Sequence, residues 1–344
     1  MTEVCSPYAA LRGGPTLRWG IAAPGFIARD FTSTVLRNTN QEVVAVGSRS
    51  SDRAESFARE FGIPSHFGEY DALFESDADV IYVASVNSQH ADLALRAIAA
   101  GKHVLIEKPL GTNPSQVRAV RDAARDAGVL AMEAMWPRYL PTYVELQRQL
   151  DLGLIGDVRL AGVDVGWRSE PNDGTQIWDA DGGVILDRGV YGYWFACFAV
   201  GWPTQMAVIG TELGGVDAQV VTALRSSEGR MASVSLTLEG LTSGHAEITG
   251  DRGSFEIQGH AVFAEGFNLV TGERRREWRD PAQLRGREGL AWQAAAFARF
   301  VDEGLLDSPL HSLGSSLRLA QIMSAARDLV KAGGGISPID FDAA

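Results

Sequence analysis

The chain has 344 residues, 45% of them hydrophobic and 22% charged, which is the balance of a globular protein long enough for two domains. A net charge of −12 argues against nucleic acid or an anionic membrane as the main partner, because an acidic surface is repelled by both. Two cysteines, Cys5 and Cys197, make no disulfide framework, and neither they nor the six histidines show metal-ligand spacing. No apolar run reaches the roughly 18 residues of a transmembrane helix, so a metal-free cytoplasmic protein is expected.

Residues 1–16 read as a flexible extension without an export signal. From Leu17 onward, short apolar runs alternate with helical patterns. Strands are predicted at 17–22, 42–47, 79–84, 103–106 and 129–132, and helices near 26–37, 51–61, 89–100 and 113–127. Gly101 and Gly128 close two of these helices. Such alternation predicts an α/β domain with a doubly wound parallel sheet, over 17–136. The pattern then changes. Segments 157–166, 204–212, 217–226, 230–239, 243–250 and 253–258 are strand-like, several with apolar/polar alternation, and they predict a mostly antiparallel open sheet. Helices are expected at 188–200, 288–304 and 314–332, giving an α+β domain over 137–344 whose last helix packs back toward the first domain.

The first strand runs into Ala22-Ala23-Pro24-Gly25-Phe26-Ile27-Ala28 and then a helix. Against the dinucleotide fingerprint G-x-G-x-x-G/A, Gly25 and Ala28 fill the second and third positions, and Ala23 replaces the first glycine. NAD-specific sites place an acid after the second strand to hold the ribose 2′-hydroxyl. Here that position reads Gly47-Ser48-Arg49-Ser50, with Arg53 one turn later, a set suited to a 2′-phosphate and hence to NADP(H) rather than NAD(H). Asn87 and His90 follow the strand at 79–84, where loops face the cofactor.

The apolar run Val104-Leu-Ile106 stops at Glu107-Lys108-Pro109, a strand ending at the edge where α/β sheets bind ligands. Lys108 is one of three lysines among 31 basic residues, the others being Lys102 and Lys331. Downstream, Gly182-Gly-Val-Ile-Leu-Asp187-Arg-Gly-Val-Tyr191 sets a carboxylate and a phenol four apart at a helix start, on one face. Lys108 beside Tyr191 would favour phenolate, a plausible proton-transfer unit with Asp187. Trp136, Arg138, Arg168, Trp178 and Arg188 are candidates to line a polar substrate, and core packing suits the tryptophans equally.

Together these stretches, with Ala84-Ser-Val-Asn-Ser-Gln-His90 and Ala100-Gly-Lys-His-Val-Leu-Ile-Glu-Lys-Pro109, resemble the glucose–fructose oxidoreductase/inositol dehydrogenase/rhizopine catabolism (Gfo/Idh/MocA) family. Met132-Glu-Ala-Met-Trp-Pro-Arg-Tyr-Leu-Pro141 is most similar to its dimeric dihydrodiol dehydrogenase and NADP-dependent xylose dehydrogenase branch. The resemblance implies a Rossmann domain followed by an open-sheet domain that often builds a homodimer or homotetramer. It implies proton transfer by Lys108 and Tyr191, with Asp187 orienting substrate, and an NADP(H)-dependent oxidoreductase of a sugar, polyol or cyclic diol. A nucleotide-linked keto-sugar reductase and a non-catalytic NADP-binding sensor are the alternatives.

Overall fold

The computed structural model describes residues 11–170, 176–282 and 284–341. Most of the 1–16 extension, with Cys5, lies outside them. The chain runs β1 (Arg18–Ala22), α1 (Phe26–Asn38), β2 (Glu42–Gly47), α2 (Ser51–Phe61), β3 (Ser65–Phe67), α3 (Tyr70–Phe74), β4 (Val80–Val83), α4 (His90–Ala99), β5 (His103–Ile106), α5 (Pro114–Ala127) and β6 (Ala131–Glu133). It continues through α6 (Pro141–Asp151), β7 (Val158–Gly166), α7 (Val190–Val200), β8 (Pro203–Leu213), β9 (Val216–Ser226), β10 (Met231–Thr237), β11 (Ala246–Gly250) and β12 (Ser254–Gln258). The last elements are β13 (Gly266–Thr271), β14 (Arg274–Arg279), α8 (Leu290–Asp302), α9 (Leu313–Lys331) and β15 (Gly335–Pro338). Two compact units result: residues up to Pro141 with Leu284–Leu317, and Thr142–Gln283 with Arg318 onward.

The first unit holds a six-stranded sheet, β3-β2-β1-β4-β5-β6, with every pairing parallel, the doubly wound order. Gly128 ends its helix as the sequence predicts, and side-chain caps open two of the helices. Ser50 caps α2, Asn113 caps α5 ahead of Pro114, and Gly128 closes α5 at φ 67°. Trp19 on β1 packs between Phe31 of α1 and Phe297 of α8, with ring centroids 5.3 and 5.4 Å away. Thus α8 belongs to this unit, although it falls in the 137–344 segment. Its periodicity marks an apolar face without saying which partner buries it, and that partner is the Trp19 side of the parallel sheet.

The second unit holds a nine-stranded sheet, β14-β13-β12-β11-β7-β10-β9-β8-β15, antiparallel except for β7 with β10. Helix α7 lies on β7 and β10. A Cβ at Gly192 would come 2.7 Å from Val234 Cγ1, and one at Gly189 3.0 Å from Leu236 Cδ1, so the two glycines set the distance of approach. On the face opposite α7, Leu160, Ile209, Val221 and Met231 stay exposed. The strands β13 to β15 go beyond the predicted set. β14 reads Arg-Arg-Arg-Glu-Trp-Arg, which lacks apolar alternation, and it forms an exposed edge strand paired with β13. Among the described residues no helix is long and apolar enough to cross a membrane.

Candidate active site

The turn after β1 has the geometry of a dinucleotide loop. Ala23, at the first-glycine position, sits in the left-handed region at φ 71° and donates its N–H to Gly47 O at 3.0 Å. Gly25 has an ordinary φ of −89°, so glycine is not required there by backbone conformation. A Cβ on Gly25 would meet only Ala84 O, at 3.9 Å. Helix α1 begins at this point with no side-chain cap and no acid in its first turn, which leaves its N–H groups for an anion. Open space at Gly25 beside such a helix start fits the pyrophosphate of a dinucleotide. Pro24 is buried, Ile27 half-buried, and Phe26 is 66% exposed with the Arg287 guanidinium 4.5 Å above its ring.

At the end of β2, Ser48 is buried and its Oγ accepts the Ser50 N–H at 3.2 Å. Arg49 and Arg53 stand exposed at the turn and in the first turn of α2. Asn87 is half-buried in a short 3-10 turn before α4.

The lysine segment leaves the sheet at the carboxyl end of β5. The last ladder bonds are Ala134 N–H to Ile106 O, at 2.7 Å, and Glu107 N–H to Val83 O, at 2.9 Å. Beyond that, side chains hold the backbone. Glu107 Oε2 accepts the Lys108 N–H at 3.2 Å, and Glu133 Oε1 accepts the Leu110 N–H at 2.9 Å. Gln116 Oε1 accepts the Thr112 N–H at 2.8 Å. His90 places Nδ1 2.8 Å from Pro109 O and Nε2 3.0 Å from Ser85 O. The Lys108–Pro109 peptide is cis, and Lys108 itself is half-buried.

His90 and Glu107, at the loops expected to face the cofactor, are both buried against the lysine segment. His90 is buried with both ring nitrogens at backbone carbonyls, and burial pushes its imidazole toward the neutral form. Glu107 is buried under Tyr82, whose hydroxyl donates to Oε1 at 2.5 Å, and burial raises its pKa above the ordinary carboxylate range. Both contact the backbone of the lysine segment, His90 at Pro109 O and Glu107 at the Lys108 N–H. Trp136 and Arg138, expected at the substrate, are also buried in this unit. Trp136 packs on Gly289, where a Cβ would lie 3.1 Å from the indole, and Arg138 Nε donates to Leu310 O at 3.1 Å.

In the second unit, a π-helical turn, Ile185–Gly189, leads into α7. Asp187 lies in that turn with a side chain 29% exposed, and Tyr191 is 8% exposed in the first turn of α7. Asp217, a residue that spacing did not pick out, anchors this start. Its Oδ2 accepts the Ile185 N–H at 2.6 Å, and Arg327 Nε lies 3.6 Å from Oδ1. A Cβ on Gly183, at φ 97°, would fall 2.4 Å from that carboxylate, which explains the glycine. Burial raises the pKa of Asp217, against its hydrogen bond from Ile185 and the charge of Arg327.

Arg188 is the clearest correction to the expected substrate contacts. It is 0% exposed, and its guanidinium donates to Trp167 O, Thr237 O and, at 2.5 Å, Ser169 Oγ. The same group lies 4.1 Å over the Trp167 ring, with Nε 3.5 Å from Asp187 Oδ2. It fastens the segment after β7 and the end of β10 to the helix start. Arg168 is exposed and paired with Glu170 at 2.5 Å. Trp178 is half-buried beside Gly214, with no hydrogen-bond partner for its indole N–H among the described residues.

Residues 17–135 match the family model of the Gfo/Idh/MocA oxidoreductase family with NAD-binding Rossmann fold, and residues 143–256 match the Gfo/Idh/MocA C-terminal domain. The trans-1,2-dihydrobenzene-1,2-diol dehydrogenase of Mus musculus is 33% identical over 327 residues, covering 91% of this chain and 97% of its own. The Danio rerio enzyme of that name is 32% identical, covering 90% and 96%. A solved 3-ketoreductase from Actinomadura kijaniata, in complex with NADP and TDP-benzene, shares 27% identity over 91% of this chain and 97% of its own, with a TM-score of 0.79. Lysine-to-alanine and tyrosine-to-phenylalanine mutants of that enzyme match as well. The aldose-aldose oxidoreductase of Caulobacter crescentus, at 20% identity and a TM-score of 0.84 over 94% and 99%, has the same fold. This chain belongs to the Gfo/Idh/MocA family and is a nicotinamide-dependent dehydrogenase or reductase.

Proposed function

We propose that this enzyme uses NADP(H) to interconvert a secondary alcohol and a carbonyl on a sugar, polyol or cyclic diol. The observation that carries the reading is the lysine segment, a half-buried cation at the carboxyl edge of a parallel sheet whose first turn fits a dinucleotide. Gly25 and the α1 N–H groups would hold the pyrophosphate, and Ser48, Arg49 and Arg53 the 2′-phosphate. The nicotinamide, when bound, supplies or accepts the hydride. Tyr191 Oη takes the hydroxyl proton in oxidation and returns it in reduction. Lys108 Nζ favours the phenolate and so lets that proton move near neutral pH. Asp187 accepts a hydrogen bond from a neighbouring substrate hydroxyl, with Arg168 and Trp178 as further substrate contacts.

Purified enzyme assayed by NADPH absorbance against pentoses, hexoses, inositols and dihydrodiols, with NADP and NAD in parallel, tests this reading. A Lys108→Ala variant with full turnover would remove the mechanism, and a clear NAD preference would remove the 2′-phosphate site. The likeness to a ketoreductase solved with TDP-benzene supports a second substrate reading, a nucleotide-linked keto-sugar. Turnover of such a sugar with none of the free sugars or diols would decide for it. We also propose a homodimer or homotetramer through the exposed sheet face at Ile209, Val221 and Met231, in a reducing cytoplasm that suits the free thiol of Cys197. Sedimentation of Val221→Glu as a smaller species than wild type is the expected result.

A further inference from the structure

We propose that Glu133, braced by His311 and Ser316, is a positioning residue for Lys108, acting through the Leu110 N–H. The inference rests on the reading of Lys108 as the proton-transfer lysine. Past Glu107 the segment has left the sheet ladder, so its conformation depends on the side chains that satisfy its backbone. Glu133 supplies one of these bonds two residues from Lys108, from the end of the neighbouring strand, where it pairs with Ile106.

A buried carboxylate is costly unless its oxygens are satisfied, and here they are. Oε1 takes the Leu110 N–H at 2.9 Å, and His311 Nε2 lies 3.2 Å from Oε2. Ser316 Oγ lies 3.2 Å from the same imidazole nitrogen. Glu133, His311 and Ser316 are all buried. Burial opposes ionisation of Glu133, but the hydrogen bond and electrostatic attraction of His311, with hydrogen bonds from Ser316 and Leu110, outweigh it and hold the carboxyl below its ordinary range. The loop that carries His311 is itself fixed. Arg138 donates to Leu310 O, Tyr139 Oη lies 2.8 Å from Ser308 Oγ, and that Oγ accepts the His311 N–H at 3.1 Å. One polar chain thus runs from the 305–312 loop through Glu133 to the lysine segment.

The test is a double-mutant cycle of Glu133→Ala with Lys108→Ala, read as kcat, KM, cofactor Kd by NADPH fluorescence, and melting temperature. Glu133→Ala is expected to lower kcat about 10- to 100-fold, the scale of a small misplacement of a reacting group. Substrate KM and cofactor Kd should stay within about 3-fold. Glu133→Gln, which keeps an oxygen for Leu110, should recover most of the loss. On the Lys108→Ala background the Glu133→Ala loss should vanish. Wild-type kcat in Glu133→Ala, or the same loss with and without Lys108, would overturn the proposal. Full turnover by Lys108→Ala would sink the catalytic reading itself and the proposal with it. If Glu133→Ala does not fold, the paired variant His311→Gln/Ser316→Ala takes its place. It should lower kcat about 3- to 10-fold, again only where Lys108 is present.

Discussion

Replacing Arg188 with methionine separates a structural arginine from a substrate-binding one. The side chain is fully buried, and its guanidinium donates to two carbonyl oxygens and a hydroxyl while lying on the Trp167 ring. Methionine fills much of the volume but leaves Trp167 O, Thr237 O and Ser169 Oγ without that donor. Each buried polar atom deprived of its partner costs about 1–3 kcal/mol. Removing one side of a buried, hydrogen-bonded charge cluster costs about 3–5 kcal/mol, because the partners left behind are buried and uncompensated. At about 2–4 °C per kcal/mol for a unit of this size, the melting temperature should fall by about 10 °C. Lysine should not rescue it, because one ammonium cannot reach three acceptors in the planar arrangement a guanidinium spans. Calorimetry gives the melting shift, and assays below the transition give KM. A melting temperature within about 2 °C of wild type, with KM raised tenfold, would show that Arg188 reaches substrate and that this reasoning is wrong.

The site gives further expectations. Gly25→Ala should weaken NADPH binding about tenfold by titration yet leave the melting temperature within about 1 °C, since the added carbon meets no protein atom closer than 3.9 Å. Tyr191→Phe should lower kcat by about 10²- to 10⁴-fold with cofactor affinity unchanged, and a smaller loss would remove the phenol from proton transfer. Arg49→Ala with Arg53→Ala should raise the Kd for NADP and not for NAD; an equal effect on both would place these arginines outside the 2′-phosphate site. Glu133 has a folded-state pKa below its ordinary 4.5, so its stabilisation is complete above that value and is lost as pH falls through the folded one. The Glu133→Gln variant should therefore show a shallower acid decline in melting temperature than wild type below about pH 4.5, and parallel declines would contradict the assignment.

The reach of sequence reasoning differs between backbone and side chain. Strand-helix alternation, the turn at Ala23–Gly25 and the Glu107-Lys108-Pro109 strand end were all legible, because each rests on a local pattern with a fixed backbone consequence. The Gly182-to-Tyr191 stretch was legible as a helix start, and its glycines prove to be close-approach positions against Ile177, Asp217 and Leu236. Side-chain destinations were harder. Arg188 reads as a substrate contact in the sequence, and only the fold shows the three acceptors that enclose it. Trp136 and Arg138 sit on a turn that a distant loop and α8 cover, so neighbours more than a hundred residues away decide their burial. Asp217 and His311 carried no signal, since a single acid or imidazole acquires meaning only from the atoms it meets. The assignment of α8 to the first unit is the same limitation at the scale of a helix.

The environment of Lys108 shows how two residues of one type are made chemically unlike. Glu107 and Glu133 end neighbouring parallel strands, and each is buried. Burial alone would push both toward the neutral acid. Glu107 receives one hydroxyl and the N–H of Lys108, which do not offset that penalty, and its pKa rises. Glu133 receives the Leu110 N–H, His311 and Ser316, which do offset it, and its pKa falls. The lysine segment is therefore held between a carboxyl biased toward the proton and a carboxylate biased toward the charge. Exchanging either for its amide changes a different quantity: at Glu107 chiefly the protonation balance beside the lysine, at Glu133 chiefly the fixed anion that anchors Leu110. That difference comes from the hydrogen-bond donors around Glu133 and the electrostatic attraction of His311 rather than from residue identity, and it ties the 305–312 loop, remote in sequence, to the lysine segment.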